Sequence, residues 1–297
     1  MITSLQVAIA DAAAASDCMC RTLVGSEAQP LVIEIPGSKL MKRAMTNLFL
    51  VVCFAAASRG AERKAATVPV LVELFTSEGC STCPPADAWL QKIDAAQPLP
   101  GAQLIVLSEH VDYWNHDGWK DPYSSSQLTE RQGDYAHAFR LGSPYTPQVV
   151  VNGDVNLKLG DSEQVRQTFQ QAAAASTVPV TITSVAMDVG SPGILRASVE
   201  VDERSAERNA DIYEAVALDH VESQVLHGEN GGKYLTHASV VQQFTKIGKI
   251  EKGKTFSKAI ELKLKAGANP KNLRLIIFVQ ESGPGKVVGA ALWDPIG

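Results

Sequence analysis

The chain has 297 residues, 45% of them hydrophobic and 20% charged, with a formal net charge of −5 at pH 7. This is ordinary globular composition, long enough for two domains of common size. The mild acidity and the lack of a basic cluster argue against nucleic acid as a main partner.

Residues 1–40 carry no clear periodicity and contain Cys18-Met19-Cys20. At Met41 the pattern changes. Met41-Lys42-Arg43 gives a positive start, and Leu48-Phe49-Leu50-Val51-Val52-Cys53-Phe54 gives a short apolar core. Ala55-Ala56-Ala57 offers small residues for cleavage, with Ala61 and Ala66 as later options. This layout predicts a secretory signal peptide over residues 41–61. Residues 1–40 are then expected to precede the true start or to form an N-terminal extension. An uncleaved membrane anchor is the alternative to cleavage. No apolar run in the mature part reaches bilayer length, so no stable membrane insertion is expected once the signal is removed. Cleavage would also remove Cys18, Cys20 and Cys53, leaving Cys80 and Cys83 as the only thiols.

The mature part opens on Val70-Leu71-Val72-Glu73-Leu74-Phe75, read as a buried parallel strand over 68–75. Cys80-Ser81-Thr82-Cys83 follows at once. Pro84 and Pro85 suit the first turn of a helix that runs through Ala86, Trp89, Leu90 and Ile93 and stops near Pro98. A second buried strand is expected over 102–108, then a polar and aromatic loop over 109–119. Ser124 to Ser126 can cap a helix over 127–141. Tyr145-Thr146-Pro147 leads into the strand Gln148-Val149-Val150-Val151, and Asn152-Gly153 signals a hairpin returning over 155–159. Gly160-Asp161-Ser162 opens a last helix carrying Val165, Phe169 and Ala172.

From Thr177 short alternating stretches take over, at 180–185, 195–201, 212–221, 256–264, 273–279 and 287–292. Ser191-Pro192-Gly193 and Gly283-Pro284-Gly285 punctuate them. Short strands separated by such turns suggest an antiparallel β-sandwich.

The order β-α-β-α-β-β-α, with Cys-x-x-Cys at the first strand–helix junction and Thr-Pro before the hairpin, resembles the thioredoxin fold. The resemblance implies that Pro147 is cis and faces Cys80 and Cys83. More closely, the chain resembles an exported thioredoxin-like family catalogued as domain of unknown function 1223. The residues that carry this are Phe75-Thr76-Ser77-Glu78-Gly79-Cys80-Ser81-Thr82-Cys83-Pro84-Pro85-Ala86-Asp87 and His110-Val111-Asp112-Tyr113-Trp114. Gly118-Trp119, Thr129-Glu130-Arg131-Gln132 and Tyr145-Thr146-Pro147-Gln148 continue it. The expected fold class is therefore an α/β thioredoxin-like domain over 65–176 followed by a mainly antiparallel β-sandwich domain over 177–297.

In a parallel sheet, strand C-termini and helix N-termini share the edge where sites form. The first strand delivers Cys80 there, and the second delivers Glu109, His110 and Asp112. The expected chemistry is thiol–disulfide exchange. Cys80, nearer the helix start and expected to be the more exposed, attacks a partner disulfide as thiolate, and Cys83 resolves the mixed disulfide. In an oxidising compartment the pair Cys80–Cys83 is expected to close as a disulfide. Glu73 is a candidate proton carrier for Cys83, with a solvated edge carboxylate as its alternative. Thr146, His110, Asp112, Tyr113, Trp114 and Trp119 are candidates for a substrate groove. Ordinary loop packing would account for the aromatic residues equally well.

Two other readings use the same cysteines. One is a binding module with a static structural disulfide. The other is a Cu(I) or zinc carrier using Cys80 and Cys83 with His110 or His116. Arg131 is a candidate partner for Asp112 or Asp117, and His220, His227 and His237 look scattered. The expected partners are protein thiols or disulfides in an exported compartment, periplasmic or secreted, with no cofactor.

Overall fold

The computed structural model describes residues 67–175, 177–188, 193–202, 209–250, 254–265 and 268–295. The signal segment at 41–61 and residues 1–40 lie outside the described residues. The first strand, β1 (Val68–Thr76), is buried from Val70 to its end because helices cover both of its faces. Helix α1 (Pro84–Ala96) begins at the two prolines and buries Ala86, Asp87, Leu90 and Ile93. It stops at Gln97, whose left-handed backbone (φ 42°) donates its N–H back to the Ile93 carbonyl. Strand β2 (Ala102–His110) is longer than expected, so Glu109 and His110 are strand residues.

Helix α2 (Ser126–Ala138) is capped by Ser125, whose hydroxyl accepts from the Gln127 amide. Strands β3 (Gln148–Val151) and β4 (Val155–Leu157) form the expected hairpin, with Asn152 and Gly153 at φ 45° and 66°. Asp161 caps α3 (Ser162–Ala173) by accepting from Glu163 and Gln164. The remaining strands are β5 (Val180–Asp188), β6 (Ile194–Val201), β7 (Ala210–Gln224), β8 (Tyr234–Ile250), β9 (Phe256–Lys263), β10 (Leu273–Glu281) and β11 (Val287–Trp293).

The protein is mixed α/β. One large sheet has the order β11-β10-β7-β8-β2-β1-β3-β4, and a second antiparallel sheet has the order β5-β6-β9. Strands β1 and β2 run parallel, and β3 lies antiparallel on the other side of β1. Helices α1 and α3 pack on one face of this half through Val72, Leu74, Leu90, Val106 and Phe169. Helix α2 packs on the opposite face, where Leu128 meets Leu71 and Leu107.

The expected β-sandwich over 177–297 shares one of its layers with the first half. Two sheets do face each other, through Leu195, Val199 and Ile260 against Ile212, Leu275 and Ile277. The larger layer, however, is a direct extension of the β1–β4 sheet. The reason is β2, which would otherwise be an edge strand with a row of unpaired backbone groups. Strand β8, 17 residues long, closes that edge by pairing parallel to β2 where Ser108 meets Val240. The expected boundary near residue 176 thus runs across a continuous sheet. One consequence positions the site: the turn between β7 and β8 lies at the C-terminal edge of β1 and β2.

Candidate functional site

Cys80 and Cys83 form a disulfide directly after β1, with Cα atoms 5.5 Å apart. Cys83 is the N-cap of α1, and its carbonyl accepts from the amides of Ala86 and Asp87. Both cysteines are fully buried, whereas Ser81 and Thr82 between them are exposed. Cys80 is therefore not the more exposed thiol that its place in the sequence suggested. The Thr82 hydroxyl lies 3.4 Å from the Cys80 sulfur.

The aromatic loop after β2 does come to this edge. A Cβ on Gly79 would sit 3.0 Å from the Cβ of Trp114, so the missing side chain at Gly79 makes room for the indole. Trp114 Nε1 donates to Thr146 Oγ1 at 2.8 Å, which ties the loop to the turn holding the cis Thr146–Pro147 peptide. The Tyr113 hydroxyl donates to Gln132, and Asp112 accepts from the Thr129 hydroxyl at 2.6 Å. Trp119 Nε1 donates to Glu78 Oε2 at 2.7 Å. Each of the proposed groove residues is thus engaged within the protein.

Beneath the dithiol loop lies a buried polar cluster that the sequence did not announce. His110, fully buried, shares a 2.7 Å hydrogen bond between Nδ1 and Asp121 Oδ2. The same carboxylate oxygen accepts from the Glu78 amide, and Oδ1 accepts from Tyr123. Burial alone would raise the Asp121 pKa, but His110 and these amides outweigh it and hold the carboxyl below its usual range. The ring of His237 from β8 stands 4.8 Å from that of His110. Its nitrogens lie 3.6 Å from Glu78 and 3.6 Å from Asp87, one turn into α1 from Cys83. Burial pulls the His237 imidazolium down, yet the carboxylates of Asp87 and Glu78 prevail and lift it to about 9. Glu78 Oε1, Asp87 Oδ1, His110 Nε2 and both His237 nitrogens lack a hydrogen-bond partner there.

Glu73 is elsewhere. It lies on the α2 face of β1 with Leu71 and Phe75, accepting from Arg131 and from the Tyr135 hydroxyl at 2.7 Å. Arg131 therefore pairs with Glu73, and approaches Glu109 at 3.6 Å, instead of reaching Asp112 or Asp117. Its guanidinium is roofed by Tyr135, Tyr213, Phe244 and Phe278, which raises the premium on its two buried carboxylate neighbours. Burial and the Glu73 charge push the Glu109 carboxyl well above its usual range, against a weaker pull from Arg131.

The metal set drawn from the sequence is not assembled. His110 is buried against Asp121, and His116 is exposed in the loop turn. Among the described residues no three His, Cys, Asp or Glu side chains are arranged to hold a metal ion. No helix among the described residues is long and apolar enough to cross a membrane.

The sequence also missed Asn230 and Glu229, in the β7–β8 turn. Asn230 Nδ2 donates to the carbonyls of Glu78 and Cys80 at 2.8 and 2.9 Å, and Glu229 Oε2 accepts from the Ser81 amide at 3.0 Å. The only local hint was the glycine-flanked turn Gly228-Glu229-Asn230-Gly231-Gly232, which nothing in the sequence connects to Cys80.

With this geometry established, the chain compares with known proteins as follows. The family described as "Protein of unknown function (DUF1223)" matches residues 71–280. A crystal structure of protein AGR_C_4864 from Agrobacterium tumefaciens is 26% identical, with a TM-score of 0.58 over 77% of this chain and 95% of that one. HBP35 of Porphyromonas gingivalis, 17% identical, superposes with a TM-score of 0.56 over 77% of this chain and 75% of its own, which is a likeness of fold alone. No curated protein matches the chain.

Proposed function

This chain belongs to the DUF1223 family of proteins of unknown function, and we propose that it is an exported thiol–disulfide oxidoreductase with a thioredoxin-like segment from β1 to α3. The observation that carries the reading is the Cys80–Cys83 disulfide at the junction of a buried strand and a helix N-terminus. The helix amides and the positive end of the dipole favour a thiolate there. In the reduced protein, the Cys80 thiolate attacks one sulfur of a partner disulfide and releases the partner's other sulfur as a thiolate. The Cys83 thiolate then attacks Cys80, closes the protein disulfide and releases the second partner sulfur. Two electrons pass from the protein dithiol to the partner disulfide, and the two protons lost by the protein thiols end on the partner. The reverse sequence oxidises a partner dithiol.

One observation favours a second reading, a static structural disulfide in a binding module: neither cysteine is exposed. Its loop is short, so the stability it confers is limited compared with a long one. A trapping experiment separates the two. Cys83→Ser retains the attacking thiol without its resolving partner and is expected to accumulate a mixed disulfide with a disulfide-bonded model protein, while Cys80→Ser does not. Absence of any mixed disulfide with Cys83→Ser would leave the static reading.

A further inference from the structure

The turn between β7 and β8 grips the dithiol loop on both sides. Asn230 is fully buried, and its amide is completely used: Nδ2 donates to the carbonyls of Glu78 and Cys80, and Oδ1 accepts from Lys233 Nζ at 2.8 Å. Glu229, on the exposed side, accepts from the Ser81 amide inside the Cys-x-x-Cys loop. Its bonds to Ser81 hold the Glu229 carboxyl below the usual range, so this acceptor is charged at neutral pH.

The turn is itself fixed. Gly231 N–H donates to the Gly228 carbonyl, Gly232 N–H to Val225, and Lys233 N–H to Asn230, at 2.8 to 3.0 Å. Gly228 has φ 75° and packs so closely that a Cβ would meet the Asp117 carbonyl at 2.8 Å and the Trp119 Cβ at 3.2 Å. The turn is therefore wedged between the dithiol loop and the aromatic loop. These contacts are made by residues some 150 positions from Cys80, so nothing local requires them.

We propose that Asn230 and Glu229 are positioning residues for the dithiol, forming a strap that holds the Cys80–Cys83 loop in its sulfur-burying form and sets the rate at which a thiol reaches the disulfide. The strap rests on the oxidoreductase reading and gives the C-terminal half a role in it. An attacking thiolate must approach the target sulfur in line, and a fully buried disulfide offers no such path until the loop or the strap moves. The loop carbonyls and the Ser81 amide lose their protein partners when the strap lifts.

The test is the rate of reduction of the oxidised full chain by dithiothreitol. Each turnover converts the dithiol reagent to its cyclic disulfide and delivers two electrons and two protons to Cys80 and Cys83. Alkylation and mass spectrometry of the peptide carrying both cysteines read the rate, free of the other thiols. Asn230→Ala and Glu229→Ala are each expected to accelerate reduction by about tenfold, the scale set by losing one or two hydrogen bonds. Glu229 is exposed, so its variant keeps the fold, as circular dichroism will verify. Gly153→Ala, destabilised far from the strap, is expected to keep the wild-type rate.

Unchanged rates in both strap variants, or an equal acceleration in Gly153→Ala, would overturn the strap. A wild type that exchanges with protein disulfides alongside unaltered variants would keep the oxidoreductase and reject the strap. Accelerated variants in a chain that never traps a protein partner would keep the strap and reject the oxidoreductase.

Discussion

Arg131 shows how much one buried charge can depend on its neighbours. Its guanidinium is nearly buried under four aromatic rings and is neutralised by Glu73, while burial and the Glu73 charge push the carboxyl of Glu109 beside it well above its usual range. Removing one partner of such a pair leaves an uncompensated charge in the interior. Arg131→Met is therefore expected to lower unfolding stability by about 3–5 kcal/mol in urea titrations. Glu109→Gln keeps the shape of a carboxyl whose charged form is disfavoured by burial and by Glu73, and is expected to cost less than about 1 kcal/mol.

The sequence named Arg131, Glu73 and Glu109 but misjudged their company. The period of two along β1 places Glu73 with Leu71 and Phe75, on the face opposite Leu74 and α1. That alternation was readable and argues against a proton path from Glu73 to Cys83. What proximity in sequence could not provide was the face of α2 that Arg131 occupies, or the side-chain oxygen of Gln280 on β10 to which it also donates.

At the scale of elements, the first half was legible because each element carries its own punctuation. Pro84 and Pro85, Ser125, Asp161 and Asn152-Gly153 mark starts and turns by local chemistry, and all of them act as such in the structure. Strand β8 was not legible. Its run Tyr234-Leu235-Thr236-His237-Ala238-Ser239 mixes polar and apolar positions, its pairing with β7 shifts register twice, and Ser239 takes φ 51°. Irregularities of this kind break the alternation that a strand reading depends on. Missing β8 also hid the strand that closes the β2 edge and carries His237.

The β3–β4 turn offers a sharper test of element packing. Gly153 has φ 66°, and a Cβ there would fall 2.3 Å from the Gly285 carbonyl in the β10–β11 turn. The left-handed backbone and the clash both oppose a side chain. Gly153→Ala is expected to lose about 2–4 kcal/mol of stability, read by urea unfolding with an unchanged slope.

Across the whole molecule, two buried ionisable groups, Glu214 and His237, make their share of the stability fall as pH rises. Burial raises Glu214 from 4.5 to about 7 against a weaker pull from Lys258. Asp87 and Glu78 lift His237 from 6.5 to about 9 against its burial. Both folded-state values exceed the unfolded ones, so the protonated forms are favoured by folding. The associated stability is complete below the unfolded pKa and is lost as pH rises through the folded one. The melting temperature is therefore expected to drop between about pH 4.5 and 7 from Glu214, and again between about pH 6.5 and 9 from His237. Glu214→Gln should flatten the first decline and His237→Gln the second. A melting temperature that rises steadily across both windows would contradict these assignments.

The same scale explains what the sequence could say about function. The dithiol, its strand and its helix are contiguous, so that part of the site could be read directly. The strap and the His110–His237 cluster join segments more than 100 residues apart, and only the continuous sheet through β8 and β2 brings them together.

If Cys80 and Cys83 exchange with other thiols, the reduction potential of the pair must lie where exchange is reversible. Equilibration of the full chain against graded glutathione buffers, with alkylation of the peptide holding both cysteines, would give the value. A dithiol that exchanges with partner proteins is expected to have a potential within the range of exchange proteins, about −120 to −270 mV. A potential below about −300 mV would place the pair among structural disulfides and rule out exchange as its role.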